Sequence, residues 1–356
     1  MAPKRTAAVK KTASTASFTF DSATLTKRLL AEVPERARDV LVRRFGLGTS
    51  TDRETLEAIG DRSSITRERV RQIEAAGLAA VRGSKTFKEA DEAFEELRSY
   101  VEKMGAIIPE DELLSLLAKD EKAKNRFRFL LVVGSAFFRE RETDDFCARW
   151  HIDHATAEKV HGALSKLYAS LSDEEVMSEA DLLDRFLDDL KDVNDAYKNE
   201  EVLKRWLSLS KGIGKNPLTE WGKKTAPAIR TKGVRDYAYL TIKRHGEPMH
   251  FSDVAKTIGT LFSKKAHVAT THNELIKDAR FVLVGRGLYA LSEWGYQPGV
   301  VRDVIREVLE TDGPLKKEEI IKRVKVARFV KDNTILVNLN DSKHFKRMKD
   351  GRYTSI

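Results

Sequence analysis

Apolar positions in the first quarter of the chain recur at helical spacing, in short blocks separated by clear stops. Leu25, Leu29 and Leu30 share a face over residues 21–33. Pro34 then suits the first turn of a new helix, and Ala37, Val40, Leu41 and Phe45 give that helix an apolar side. Gly46 and Gly48 end it. Leu56 and Ile59 mark a third helix, Gly60–Ile65 a tight turn, and Thr66 a hydroxyl cap for a fourth. In that fourth helix Val70, Ile73, Gly77 and Val81 fall on one face. Glu68, Gln72, Ala75 and Ala79 fall on the other, with Arg69 and Arg71 on the flanks. One side is built to pack inward. The other sets small residues around Glu and Gln and fringes them with Arg. A solvated surface helix has such a face, and so does a helix that enters a major groove. There Gln bonds adenine, Glu accepts from cytosine N4, and Arg reaches guanine or phosphate.

Further along, one pattern occurs three times. A Gly, a short apolar run, a polar start and an apolar helix follow one another at GAIIPEDELLSLL (105–117), GEPMHFSDVAKTI (246–258) and GPLKKEEIIKRV (313–324). Each reads as the end of one helix, a short strand, and the first helix of a winged helix-turn-helix. Phe281–Val284 and Leu288–Leu291 alternate about Gly285-Arg286-Gly287, and HFKRMKDGRYTSI turns at Asp350-Gly351, so two hairpin wings are expected. Before the first repeat one amphipathic helix is expected over 84–104 (Phe87, Phe94, Leu97, Val101), and after it another over 122–140. Over 143–171 a Thr-capped helix, a turn and a second helix are expected, and an acidic helix over 172–201. Residues 211–232, rich in Gly, Pro and Lys, read as a linker.

These patterns predict a mainly α, multi-domain helix-turn-helix chain. Its expected parts are a disordered basic tail (1–20), an N-terminal helix-turn-helix domain (21–83), a helical middle (84–210), the linker, and two C-terminal winged helices (233–297 and 298–356) with small β-hairpin wings.

Composition sharpens the picture in two ways. Lys and Arg (64) exceed Asp and Glu (55), for a net charge of +9, which suits a nucleic-acid partner. The single Cys147 excludes an internal disulfide framework. The N-terminus lacks the apolar core of a secretory signal, and no run is long enough to span a bilayer, so a cytoplasmic, nucleoid-associated protein is expected. Catalytic grammar is missing. GIGK (212–215) lacks the spacing of a phosphate loop, and no Ser/His/Asp arrangement or paired-carboxylate motif stands out. No enzyme and no cofactor are expected. Cys147, His151, His154 and His161 match no common zinc spacing, and no metal is expected either.

PERARDVLVRRFGL (34–47), TLEAIG (55–60) and ITRERVRQIEAAGLAAVR (65–82) together resemble region 4 of the sigma-70 family of bacterial RNA polymerase sigma factors. That resemblance implies a recognition helix reading a promoter element, with Arg67, Glu68, Arg69, Arg71 and Gln72 at the base- and phosphate-contacting positions. It also implies docking on the β flap of core RNA polymerase, partly through the helix matching 34–45. Ser63 stands where the family has a large apolar residue, and a thinner helix–helix seam is expected there. No aromatic-rich, promoter-melting helix accompanies these motifs, so a self-sufficient initiation factor is not expected.

VRDYAYLTIKRHGEPMHFSDVAKTI with THNELIKDARFVLVGRGLYALSEWGY (within 233–296) resembles the HARE helix-turn-helix domain, which also occurs in the RNA polymerase δ subunit. Lys264, Lys265, His267, Thr270, Thr271 and His272 lie on or before its expected third helix. In the last winged helix, Lys343, Lys346, Arg347, Lys349 and Arg352 would make a basic wing suited to phosphate. The expected partners are double-stranded DNA and, in a second reading, RNA polymerase core. A nucleoid or host-defence DNA scaffold is a third. Oligomeric state is not legible.

Overall fold

The computed structural model describes residues 16–296, 300–328 and 330–356. The chain is 57% helix, with small antiparallel sheets, and is a multi-domain helix-turn-helix protein of the mainly α class. It divides into two compact units: 1–172 with 177–214, and 173–176 with 215–356. Among the described residues no helix is long and apolar enough to cross a membrane.

The first unit opens with four helices at the expected places. They are α1 (Ser22–Ala31), α2 (Glu35–Phe45), α3 (Leu56–Ser63) and α4 (Arg67–Gly83). Each start has a local cause. Asp21 accepts from Thr24 N–H at 2.7 Å, Pro34 precedes α2, Thr55 accepts from Ala58 N–H at 3.1 Å, and Thr66 from Arg69 N–H at 3.2 Å. Most of the expected basic tail, residues 1–15, lies outside the described residues. Residues 16–20 do not behave as a tail: the Phe18 ring meets Phe127 at 5.5 Å and Thr19 N–H bonds Glu96. Two aromatic side chains, Phe18 and Phe20, supply apolar area that the rest of the tail lacks.

The expected single helix over 84–104 is broken. It forms Lys85–Glu89 and Asp91–Lys103, with the bend at Ala90. Positions seven apart in a straight helix lie roughly 10 Å apart along its axis. The bend instead brings the Phe87 and Phe94 rings to 5.0 Å.

Next come strand Ile107–Pro109, helices Glu110–Leu117 and Glu121–Val133, and strands Phe138–Glu140 and Arg149–His151. The strand 149–151 sits between the other two, pairing Ile108 with Trp150 and Arg139 with Trp150. This corrects the expected helix at the start of 143–171. Thr143 does accept a backbone N–H, from Phe146 at 3.1 Å, but it caps a turn. Arg149, Trp150 and His151 are all buried, so no face of the strand alternates to water and no period-2 signal exists to read. The second expected helix is present, at His154–Ser170.

Helix Glu121–Val133 fuses this region to the four N-terminal helices. Its Phe129 is fully buried and stands edge-on to Phe45 of α2 at 5.4 Å. Its Asn125, also buried, donates to the carbonyls of Gly46 (3.2 Å) and Thr51 (2.8 Å). Arg82, in the last turn of α4, donates to the carbonyls of Val133 (3.0 Å) and Val132 (2.7 Å) at the helix's C-terminus. One hydrophobic core therefore runs from Leu25 to Trp150. Packing does not pause at the expected boundary between 83 and 84.

A buried polar group sits behind the sheet. Arg149 Nε donates to His161 Nε2 at 2.6 Å, which leaves His161 neutral with its proton on Nδ1. Burial, and then the Arg149 charge, hold His161 down at about 4. Its unfolded value is near 6.5, so the unfolded chain takes up a proton that the folded chain refuses. The thermal midpoint is expected to fall as pH drops from 6.5 towards 4, with no contribution from this group above 6.5. His161→Gln, which keeps an acceptor for Arg149, is expected to flatten that window in thermal scans at fixed ionic strength.

In the second unit the expected linker is built into the fold. Asn216 is buried; its Oδ1 accepts from Leu218 and Glu220 N–H, and its Nδ2 donates to the Ala228 carbonyl at 3.0 Å. Trp221, Ala226, Ala228 and Ile229 are buried beside it. Three helices come after it (Val234–His245, Phe251–Phe262, Val268–Lys277), with strand Met249–His250 and the hairpin Phe281–Leu283/Leu288–Leu291. The strand Leu288–Leu291 is central, between 249–250 and 281–283. The last set repeats this order: helices Val301–Asp312, Lys317–Ala327 and Asp332–Leu339, then Phe345–Arg347 paired with Tyr353–Ser355. Leu315 bridges to Tyr353 in place of the short first strand. Helix Asp91–Lys103 and the elements after it, as far as strand Arg149–His151, have the same order again. In all three sets the glycine after the first helix (Gly105, Gly246, Gly313) has a positive φ, of 103°, 79° and 77°. A side chain there would be strained, so glycine marks each repeat.

Candidate nucleic-acid interface

The turn between α3 and α4 is made by close backbone approach. Ile65 N–H donates to the Gly60 carbonyl at 3.0 Å, and Ser64 turns in the left-handed region. A Cβ on residue 60 would stand 2.6 Å from the Ile65 carbonyl oxygen, so only glycine fits. Ser63 is exposed on the last turn of α3 and takes no part in the seam, against expectation. Ile59, Val70 and Ile73 fill the interior there instead.

Helix α4 buries the face expected of it: Val70, Ile73, Gly77 and Val81. Gly77 lets α2 come close, because a Cβ there would lie 3.2 Å from Ala37 Cβ. The opposite face is in water. Arg67, Glu68, Arg69, Arg71 and Gln72 are all exposed on its first two turns. They form two linked pairs. Glu68 accepts from Arg71 Nε (2.9 Å) and Nη2 (2.7 Å), and Arg69 Nη1 donates to Gln72 Oε1 at 3.0 Å. The Arg71 bond holds the Glu68 carboxyl below its usual range. Exposed pairs of this kind contribute little. They hold the side chains in register and yield readily to a stronger partner. The Gln72 amide also reaches Glu68, so base contacts by either side chain would replace these weak surface bonds.

Beside this face lies a cationic hollow of about 240 Å³, lined by Arg44, Arg53, Glu74, Arg128 and Arg139 with Phe45 and Val132. Glu74 stands one turn beyond Arg71 on α4 and pairs with Arg44 at 3.3 Å. Glu110 is buried and takes both Arg128 (3.3 Å) and Arg139. Four guanidiniums thus face two carboxylates. Burial, and then Arg53, oppose the Arg128 charge. The hollow favours an anion. Nothing in residue spacing signalled it, because its arginines come from α2, the loop after it, helix 121–133 and strand 138–140.

The other expected contacts lie in the second unit. Lys264 and Lys265 are exposed in the loop before helix 268–277. Of the neighbours weighed with them, Thr271 is fully buried and His272 stacks on Phe251 at 4.2 Å, so both turn inward and cannot face a groove. Lys346, Arg347, Lys349 and Arg352 are exposed on the last hairpin. Arg352 is held by Asp350 at 2.6 Å, and Arg347 lies over the Tyr353 ring at 5.9 Å.

Residues 29–83 match the family model for sigma-70, region 4. Over 56 residues the chain is 46% identical to the RNA polymerase sigma factor RpoS of Coxiella burnetii, covering 16% of this chain and 16% of that protein. Over 58 residues it is 45% identical to the sigma factor RpoD of Neisseria gonorrhoeae, covering 16% of this chain and 9% of that one. The chain thus spans only a small part of the length of these relatives. The helix bearing Arg67 to Gln72, with the turn that aims it, is therefore similar to region 4 of the sigma-70 proteins, and that similarity belongs to residues 29–83.

Proposed function

We propose that the chain is a DNA-binding transcription protein that binds rather than catalyses. Helix α4 enters a major groove and reads a promoter-type element through Glu68, Gln72 and Arg67, while Arg69 and Arg71 add phosphate contacts. The observation that carries this reading is the exposed Arg67–Gln72 face on a helix fixed by a tight turn and a buried opposite side. The two basic sites of the second unit, Lys264/Lys265 and Lys346/Arg347/Lys349/Arg352, add phosphate grip in the manner of winged helices. The helix–strand–helix–helix–hairpin order of 234–291 supports the HARE-type resemblance. The test is selection of bound sequences from random DNA with the full chain at stated salt. Gln72→Ala and Glu68→Ala are expected to relax preference at one or two base pairs, costing ~1–3 kcal/mol each. Equal weakening on every sequence would mean that α4 does not read bases.

The second reading is an RNA polymerase accessory protein that docks on the β flap. Here the apolar side of α2 argues against that mode: Leu41 and Phe45 are buried, and Phe129 of the same chain stands against Phe45. A flap helix would have to displace helix 121–133. Retention of the full chain by core polymerase in a pull-down, lost on mutation of exposed α2 residues such as Arg36, would favour this reading. A flat preference across random DNA would favour the third, a DNA scaffold.

A further inference from the structure

We propose that Glu140, His151 and His154 form a site for one divalent transition-metal ion of the zinc type. One ligand atom from each lies within 4.8 Å of the others. They arrive from three different elements: strand 138–140, strand 149–151 and the first residue of helix 154–170. Glu140 Oε1 is 3.2 Å from His151 Nε2, and the His151 and His154 rings are 5.7 Å apart. The His151 side chain is only 3% exposed, and its Nδ1 is buried without a hydrogen-bond partner. Nε2 is the ring atom that faces Glu140 and would take the ion, which leaves the ring proton on Nδ1. Phe138 stacks on its outer side at 5.4 Å and limits how the ring can turn.

The surroundings suit a site that is rigid on one side and open on the other. Arg149 binds the other carboxylate oxygen of Glu140, which orients Oε1 towards His151. His154 is mostly exposed and free to close on an ion, and Glu158 Oε1, 3.2 Å from His154 Nε2, stands ready as a further oxygen donor. Two imidazoles with carboxylate oxygen select zinc, cobalt or nickel over magnesium or calcium, which take oxygen ligands. Sequence spacing gave no metal set, because Cys147, His151, His154 and His161 match no common zinc pattern. No helix forms there, and Cys147 Sγ lies 3.8 Å from the Ser208 carbonyl. Glu140 joins His151 because the strand 149–151 pairs with 138–140.

The test uses the full-length, tag-free chain. Calorimetric titration with Zn²⁺ is expected to show one ion per chain, and Co²⁺ to give the visible bands of a low-coordinate site. Saturating Zn²⁺ is expected to raise the thermal midpoint; Mg²⁺ is not. His154→Ala, at an exposed position that leaves the fold intact, is expected to weaken Zn²⁺ binding by about 100-fold and to remove the shift in midpoint, and Glu140→Gln by at least about tenfold. Absence of Zn²⁺ and Co²⁺ binding by the wild-type chain, or equal binding by wild type and His154→Ala, overturns the proposal.

Discussion

Phe129→Ala is expected to destabilise the first unit by about 3–5 kcal/mol and to remove DNA binding with it. The residue lies far outside 29–83, the stretch that resembles sigma region 4. Yet its ring is fully buried and meets Phe45 at 5.4 Å, in a core that also holds Leu29, Leu41 and Val70. Truncation would leave a cavity against α2 and free Asn125 and Arg128 on the same helix to shift. Denaturant unfolding of the full chain measures the first effect and equilibrium binding to selected DNA the second. By the same logic a fragment of residues 21–83 would expose Phe45, which Phe129 covers in the full chain, and is expected to lack a cooperative transition. A loss under 1 kcal/mol for Phe129→Ala, far below the usual cost of such truncations, would show that the region-4-like segment stands alone.

Raising salt from about 50 to about 200 mM is expected to weaken DNA binding by at least roughly 10³-fold, the loss typical of six phosphate contacts. Arg69 and Arg71 on α4 and Arg53, Arg128 and Arg139 in the adjoining hollow would supply five of them, and the basic residues of the second unit the rest. Arg71 contributes only after Glu68 releases it. Arg53→Ala and Arg139→Ala are each expected to reduce the salt slope by about one and to weaken all sequences alike. That signature separates them from Gln72→Ala, which should alter preference and leave the slope unchanged. An unaltered slope in both arginine variants would show that the hollow does not touch DNA.

What was legible in the sequence was whatever is decided locally. The first four helices announce themselves because three of them start at a side chain that accepts from an orphan N–H and α2 starts after a proline, and because one apolar stripe repeats at helical spacing. The threefold repeat was legible because a glycine is needed at one backbone position in each copy. The exposed face of α4 was legible for a related reason: its five polar side chains lie within six consecutive positions.

Features decided by pairing across the chain were not legible. The strand Arg149–Trp150–His151 carries no alternation, and its partners lie at 107–109 and 138–140. The break at Ala90 accompanies a contact between Phe87 and Phe94 that a straight helix would not make. The segment 211–232 looked like a linker because Gly, Pro and Lys outnumber the few residues that anchor it, Asn216 and Trp221 above all. The arginine hollow and the Glu140–His151–His154 cluster exist only once distant elements are side by side.

Helix α4 is held at both ends. At its start, Gly60 and Ile65 close the turn and Thr66 caps it; at its end, Arg82 grips the carbonyls of Val132 and Val133. A rod fastened only at one end would have to give up freedom of tilt and slide each time it met a duplex. This one has surrendered that freedom during folding, so little ordering entropy is left to lose on association. On the reading proposed above, the groove would have to come to the helix, and sequences would be sorted by how easily their own grooves widen or bend to receive a fixed reader, as well as by their base edges.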